Sequence, residues 1–250
     1  VSDADLAMVL ECERRIVNAW PAPATLLIGD WVVRFANGYS GRANAASPIA
    51  IGAELDDECC DFIEQLYRGD GLPPCIRLTP LVAQATRDRI IARGYRVRDA
   101  SFGLVAALDT VEPMVAADIE YTPLATEEWI AGVAARQTGA KANAAHLAAI
   151  VEKVRMPAAF AALMIGGEPV AYGMSVAERG MAEIGSIVVD EAHRGQGLGR
   201  RIVTGLMSWA RAMACHSAYL QVDQTNAVAL RLYENLGYRR LYAYETRVVD

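Results

Sequence analysis

The stretch HRGQGLGRR, residues 193–201, concentrates the chemistry of this chain. Gly195, Gly197 and Gly199 alternate, with Arg194, Arg200 and Arg201 around them. A strand-like run, MAEIGSIVVD, precedes the glycines, and a helix-like run, RRIVTGLMSWARAMA, follows them. That order suits an anion. The first amides of a helix lack internal partners, and the helix dipole makes that end positive. Glycines let an anion approach the backbone without meeting a Cβ. The expected ligand is therefore a phosphate, with Arg194, Arg200 and Arg201 adding positive charge nearby; a plain glycine-rich capping turn is the alternative. A P-loop would need Gly-Lys followed by Ser or Thr where Arg200 and Arg201 stand. A dinucleotide loop would need a third glycine where Arg200 stands. Asp223, ending the next strand-like run, keeps a nicotinamide-dependent oxidoreductase open as an alternative.

A second candidate is FANGYSGRANAASP, residues 35–48, where Gly38, Tyr39, Gly41, Arg42 and Asn44 cluster. Arg42 with Asn44 could form a carboxylate-binding loop, since a guanidinium holds a carboxylate as a two-pronged fork. The same residues also make an ordinary solvated turn. Cys215 and His216 are sequence neighbours and read as structural. The five cysteines include no CxxC and the three histidines have no metal-ligand spacing, so no metal is expected. Such cysteine usage suits reduced thiols and a cytoplasmic setting.

With 250 residues, 53% hydrophobic and 22% charged, the chain can bury a sizeable core. A net charge of -6 argues against a nucleic-acid partner, which would call for a basic surface. No apolar run approaches the roughly 20 residues that span a bilayer, and VSDADLAMVLECERR lacks the basic start of a secretory signal, so no membrane partner is expected.

Periodicity and turn residues set out the elements that must carry these groups. Helical patterns cover 3–19, ELDDECCDFIEQLY, LVAQATRDRIIARG, the Ala-rich stretch 124–155, the run after the glycines, and AVALRLYENLG. Strand patterns cover TLLIGDWVVRFA (a hairpin about Gly29-Asp30), CIRLTP, YRVRDASFGLVAAL, AFAALMIGGEPVAYGMSVA (a hairpin about Gly166-Gly167), MAEIGSIVVD, SAYLQVD and YRRLYAYETRVV. This is a mixed α/β composition. LVAQATRDRIIARGYRVRDASFG echoes VALRLYENLGYRRLYAYET, with Gly94-Tyr95 answering Gly237-Tyr238, which suggests a duplicated unit. The pattern loosens over 109–123, so a boundary is expected near residue 110, giving domains 1–110 and 111–250. Period-two alternation groups Glu183, Gly185, Ile187 and Val189 on one face of their strand, and Ala182, Ile184, Ser186 and Val188 on the other.

Arg194-Gly195-Gln196-Gly197-Leu198-Gly199 resembles the [QR]xxGx[GA] pyrophosphate signature of GNAT-type N-acetyltransferases. Downstream, NAVALRLYENLGY resembles the second signature, NxxAxxxYxxxGF, with Asn226, Ala229, Tyr233 and Gly237 in place and Tyr238 for the phenylalanine. The resemblance is strong over about 160–250 and looser over 115–250. It implies a GNAT fold, duplicated into a tandem protein with a degenerate first half lacking a cofactor site and an active second half. It implies acetyl-CoA as co-substrate, no metal, and transfer of acetyl to a small-molecule or peptide amine within a ternary complex. Main-chain groups of Ile187, Val188 and Val189 would pair with the pantetheine arm. Tyr233 stands where the family places the acid that protonates the leaving thiolate. Glu183, or an ordered water, would take the amine's proton. Asn226 suits a helix N-cap, a pantetheine contact, or both. A CoA-binding sensor or scaffold without turnover is the non-enzymatic alternative. The closing strand YRRLYAYETRVV could pair within the chain or across a homodimer.

Overall fold

The hairpin about Gly29-Asp30 forms β1 (Ala24–Ile28) and β2 (Trp31–Phe35), which pair antiparallel in a computed structural model describing residues 2–111 and 116–250. Before it runs α1 (Asp3–Ala19), whose first turn is capped by the Ser2 side chain. The first half continues with β3 (Ala46–Pro48), α2 (Asp57–Gly69), β4 (Cys75–Leu78), α3 (Gln84–Ala92) and β5 (Arg96–Ala107). The second half holds β6 (Ile119–Thr122), α4 (Glu127–Ala135), α5 (Ala144–Val151), β7 (Ala158–Ile165), β8 (Glu168–Glu178), β9 (Met181–Val189), α6 (Leu198–Ala212), β10 (Ser217–Asp223), α7 (Ala227–Glu234) and β11 (Arg239–Val248). The joint expected near 110 runs into residues 112–115, which lie outside the described residues.

Two strands were not anticipated. β3 is three residues long within an Ala- and Ser-rich loop, and β6 lies at a sheet edge inside the loosened stretch. Such short segments have too few alternating positions to signal themselves. The helical stretch 124–155 is broken by a 3₁₀ turn at Gly139–Ala142, where Gly139 has a φ of 59°. YRVRDASFGLVAAL forms one strand of 12 residues.

The strands build one mixed sheet in the order β1-β2-β3-β4-β11-β5-β10-β9-β8-β7-β6. The order of elements from β1 to β5 repeats from β7 to β11, and the sheet is nearly symmetric about its β11/β5 centre. Each half thereby lends its last strand to the other. β5 pairs with β10 of the second half, and β11 pairs with β4 of the first. The repeat extends to detail. Gly94 and Gly237 both have positive φ, 83° and 85°. The amides of Tyr95 and Tyr238 donate to the carbonyls of Ile90 and Tyr233, five residues back in each case. These are matching helix-ending turns.

One face of the sheet is covered by α1, α4 and α5, through Val9, Ile16, Trp129, Leu147, Phe160 and Tyr219. The opposite face of the second half is covered by α6 and α7, through Ile202, Leu206, Leu230 and Tyr233. α2 and α3 bury a separate cluster with β2 and β4, around Trp31, Ile63, Ile76 and Ile90. Among the described residues no helix is long and apolar enough to cross a membrane.

Candidate active site

β9 and β10 run parallel, but only briefly. Their register pairs Met181 with Ser217, Ala182 with Ala218 and Glu183 with Tyr219, and stops there, although the strands run on to Val189 and Asp223. Beyond Glu183 the strands part. β9 keeps its other neighbour, β8, as far as Val189. The main-chain groups of Ile187 to Val189 on the β10 side thus face an open gap, an unpaired strand edge able to accept an extended ligand.

A β-bulge sits in that edge. The register on β8 jumps from Met174–Gly185 to Tyr172–Val188, so Ser186 and Ile187 together oppose Gly173. Ser186 has a φ of 53°, a left-handed conformation rare for a residue with a Cβ. The extra residue shifts the alternation and corrects the expected face grouping. Ile187 and Val189 pack with Ala182 and Ile184 toward α6. Val188 joins Met181 on the face covered by α1 and α4.

The glycine segment follows directly. Gly195 and Gly197 have φ of 76° and 78°, and nothing lies within 4 Å of a Cβ built on either. Gly197 caps α6 without a side-chain hydrogen bond. The first amides of α6 therefore keep their donors free, in open space, at the positive end of a helix. That is a fit to a pyrophosphate. The equivalent helix of the first half differs: the Asp56 carboxylate accepts from the Cys59 amide at 2.7 Å and closes the N-terminus of α2 with a negative charge. Arg194 is exposed and stands 3.7 Å from Glu191. Arg200 lines a hollow of about 680 Å³ beside Gly197, Arg201 and Thr204. Asp223 Oδ1 accepts from both the amide and the hydroxyl of Thr225, at 2.7 and 2.6 Å, so that oxygen is engaged within its own turn.

Glu183 stands where the two strands part. It is 1% exposed. Gly185 makes room for it, since a Cβ there would lie 2.7 Å from Glu183 Oε1. That same Oε1 accepts from Arg42 Nη1 at 3.3 Å, while Oε2 is buried with no hydrogen-bond partner among the described residues. Burial pushes the carboxyl up to about 7, against the opposing pull of Arg42. The loop read as either a carboxylate site or a plain turn thus meets the candidate base across 141 positions of sequence. Arg42 lies over the Trp20 ring, 5.3 Å from its centroid. Asn44 is placed differently. It is buried, and its Oδ1 accepts from the amides of Ala36 and Gly38 at 2.8 and 3.2 Å, so it braces the loop.

Tyr233 projects from α7 and is 7% exposed. Its hydroxyl is pushed up to about 12, by burial first and then by the nearby Glu183 carboxylate. Tyr238 packs edge-on against it, with ring centroids 5.7 Å apart, and its own hydroxyl is buried without a partner among the described residues. Asn226 caps α7, accepting from the Ala229 amide at 3.1 Å.

Beside Arg42 opens a cavity of about 610 Å³, lined by residues of both halves. Its walls include Trp20, Arg42 and Arg98 from the first half and Lys141, Ser186 and Gln221 from the second. Sequence reading missed Trp20, Arg98, Lys141 and Gln221, because no local spacing links residues that only the sheet brings together. Below the cavity, Gln221 donates to Glu13 Oε1 at 2.8 Å. Glu13 is fully buried in a two-pronged pair with Arg77, at 2.6 and 3.1 Å, and also accepts from the Tyr242 hydroxyl. This network joins α1, β4, β10 and β11 beneath the site. Among the described residues no cluster of ligands suited to a metal is present.

Residues 7–246 match the family model described as "Probable histone acetyltransferase Rv0428c C-terminal". An uncharacterized N-acetyltransferase of Bacillus subtilis, YobR, is 24% identical over 244 residues, covering 96% of this chain and 98% of its own. A GCN5-related N-acetyltransferase structure from Kribbella flavida superposes with a TM-score of 0.66 at 16% identity, over 97% of this chain and 94% of that one. A tandem GNAT protein from the clavulanic acid biosynthesis pathway superposes at 0.60 with 14% identity, over 95% of this chain and 86% of that one.

Proposed function

The chain belongs to the GNAT family of N-acetyltransferases, in the group described by the Rv0428c C-terminal model, and from that premise we propose that it moves an acetyl group from acetyl-CoA to a primary amine by direct attack in a ternary complex. The observation that carries the reading is the parting of β9 and β10 at Glu183, opening onto free amides at Gly195–Gly199. Acetyl-CoA supplies an activated acetyl thioester, which the amine takes while CoA leaves as a thiol. The amides from Arg194 to Gly199 hold the pyrophosphate, and Arg200 adds charge beside it. The open edge of Ile187 to Val189 pairs with the pantetheine arm. One amide of that edge polarises the thioester carbonyl.

A primary amine has a pKa near 10 and attacks only when it has lost a proton. Glu183 accepts that proton, directly or through a water on its unpartnered Oε2. Tyr233 gives a hydrogen bond, and in the end a proton, to the departing sulfur; its raised pKa makes it a weaker acid, so the hydrogen bond comes first and transfer is completed as the thiolate forms. The first half, with α2 closed by Asp56, works without a cofactor of its own and supplies Arg42 and Trp20 to the acceptor cavity.

The test is a thermal shift with acetyl-CoA, CoA and NAD, followed by CoA-release assays with amines. A ligand at one hundred times its Kd stabilises by about 2.7 kcal/mol, a rise on the order of 5–10 °C for a chain of this size. Shifts with both CoA species and none with NAD, together with amine-dependent CoA release, are expected. A shift with NAD alone would overturn the reading. Binding without release by any amine would leave a CoA-binding protein without turnover.

A further inference from the structure

The acceptor cavity is lined by three cations, Arg42, Arg98 and Lys141, and two acids, Asp99 and Asp223. Each acid has one oxygen engaged. Asp99 Oδ2 accepts from Arg98 Nε at 2.9 Å, and Asp223 Oδ1 holds Thr225. Of the cations, Arg98 is paired with Asp99 and Arg42 with Glu183, which leaves Lys141. Among the described residues Lys141 makes neither an ion pair nor a hydrogen bond. Arg42 makes one long contact to Glu183, at 3.3 Å, and no other hydrogen bond. Behind the wall, Arg34 is fully buried, and only its Nη1 finds a partner, the Trp20 carbonyl at 2.9 Å. Arg42 and Lys141 thus keep N–H donors open to an anion in the cavity.

Resting on the transferase reading above, we propose that the natural acceptor is a small amine bearing its own carboxylate one or two carbons from the nitrogen, as in an α-amino acid, with Arg42 and Lys141 receiving the carboxylate and Glu183 facing the amine. The spacing follows from contact: Arg42 lines the cavity and touches the buried Glu183, so an anion on the guanidinium holds a neighbouring amine on the Glu183 side, within reach of its carboxylate through a water. The remaining N–H groups of Arg42 supply the fork a carboxylate needs. Desolvation of its ammonium at the cavity wall, then Arg42, lowers the pKa of Lys141 against the pull of Asp99 and Asp223, although the turn as a whole is exposed. A lysine side chain in a basic peptide carries no carboxylate close to its amine and meets repulsion from the same groups.

The test compares α-amino acids with their carboxamides and with a lysine-rich basic peptide, by CoA release and by calorimetric titration of the CoA-loaded protein. The carboxylate forms are expected to exceed the carboxamides by about tenfold or more in kcat/KM and to bind when the amides do not. Arg42→Gln should raise the acceptor KM about tenfold or more, with acetyl-CoA affinity unchanged. Lys141→Gln, in an exposed turn, should do the same more weakly and does not depend on the contacts Arg42 makes in the fold. Carboxamides or the basic peptide working as well as the free acids, or a preference that survives both substitutions, would overturn this inference and leave the transferase reading intact. Acetyl-CoA binding with no transfer to any amine would overturn both.

Discussion

Glu183 illustrates how burial sets both chemistry and stability. With its carboxyl near 7, kcat/KM should climb as pH rises through that value, since the base form does the work. Glu183→Gln should lower the plateau by about 10²–10⁴-fold and remove that acidic limb. The stability effect has the opposite sign. A carboxyl raised from 4.5 to about 7 binds more protons folded than unfolded between those values, so stability falls as pH rises through them. At about 1.36 kcal/mol per pH unit, the full cost above pH 7 is at most roughly 3 kcal/mol, with the pull of Arg42 already included. Glu183→Gln should therefore raise Tm at pH 8 and change it little at pH 4, as calorimetry at the two pH values would show. Tyr233→Phe should lower kcat by about 10²-fold or more while leaving the Kd of acetyl-CoA unchanged. Unchanged turnover would remove the hydroxyl from the chemistry.

At the scale of elements, the gap between β9 and β10 depends on a bulge and on a buried network. Gly197 opens α6 at positive φ, so Gly197→Ala should cost about 1–2 kcal/mol of backbone strain and weaken acetyl-CoA binding, read as a raised Kd in a titration. The Glu13–Arg77 pair beneath the cavity has no solvent to fall back on. Glu13→Ala strands a buried guanidinium and should destabilise the chain by about 3–5 kcal/mol in urea unfolding. Because Gln221 bonds Glu13 and lines the cavity, that variant should also raise the acceptor KM in the fraction that folds.

The whole molecule is two similar units joined by exchanged strands. β5 completes the second half and β11 the first, so neither stretch 1–110 nor 111–250 contains its own full sheet. Urea unfolding should show one cooperative transition, with fluorescence and circular dichroism coinciding. Two separated transitions would mean that the halves stand independently despite the shared strands. The exchange has a functional consequence too. It brings the Arg42 loop of one half to the Glu183 strand of the other, so the cavity we propose for the acceptor is lined by both.

Much of this was legible in the order of residues, because it rests on local physics. The glycine segment, the second signature with Tyr233, the hairpins at Gly29-Asp30 and Gly166-Gly167, and the repeat of Gly94-Tyr95 in Gly237-Tyr238 are each set by spacing within a few residues, where backbone sterics and helix capping act. The tertiary structure decided what depends on distant parts meeting. The bulge at Ser186 inverted the faces of Ile187 to Val189, which no strict alternation anticipates. The strand exchange set the centre of the sheet. The meeting of Arg42 with Glu183 turned a loop of undecided purpose into a wall of the acceptor cavity, since desolvation and charge pairing act through space and are written in no local pattern.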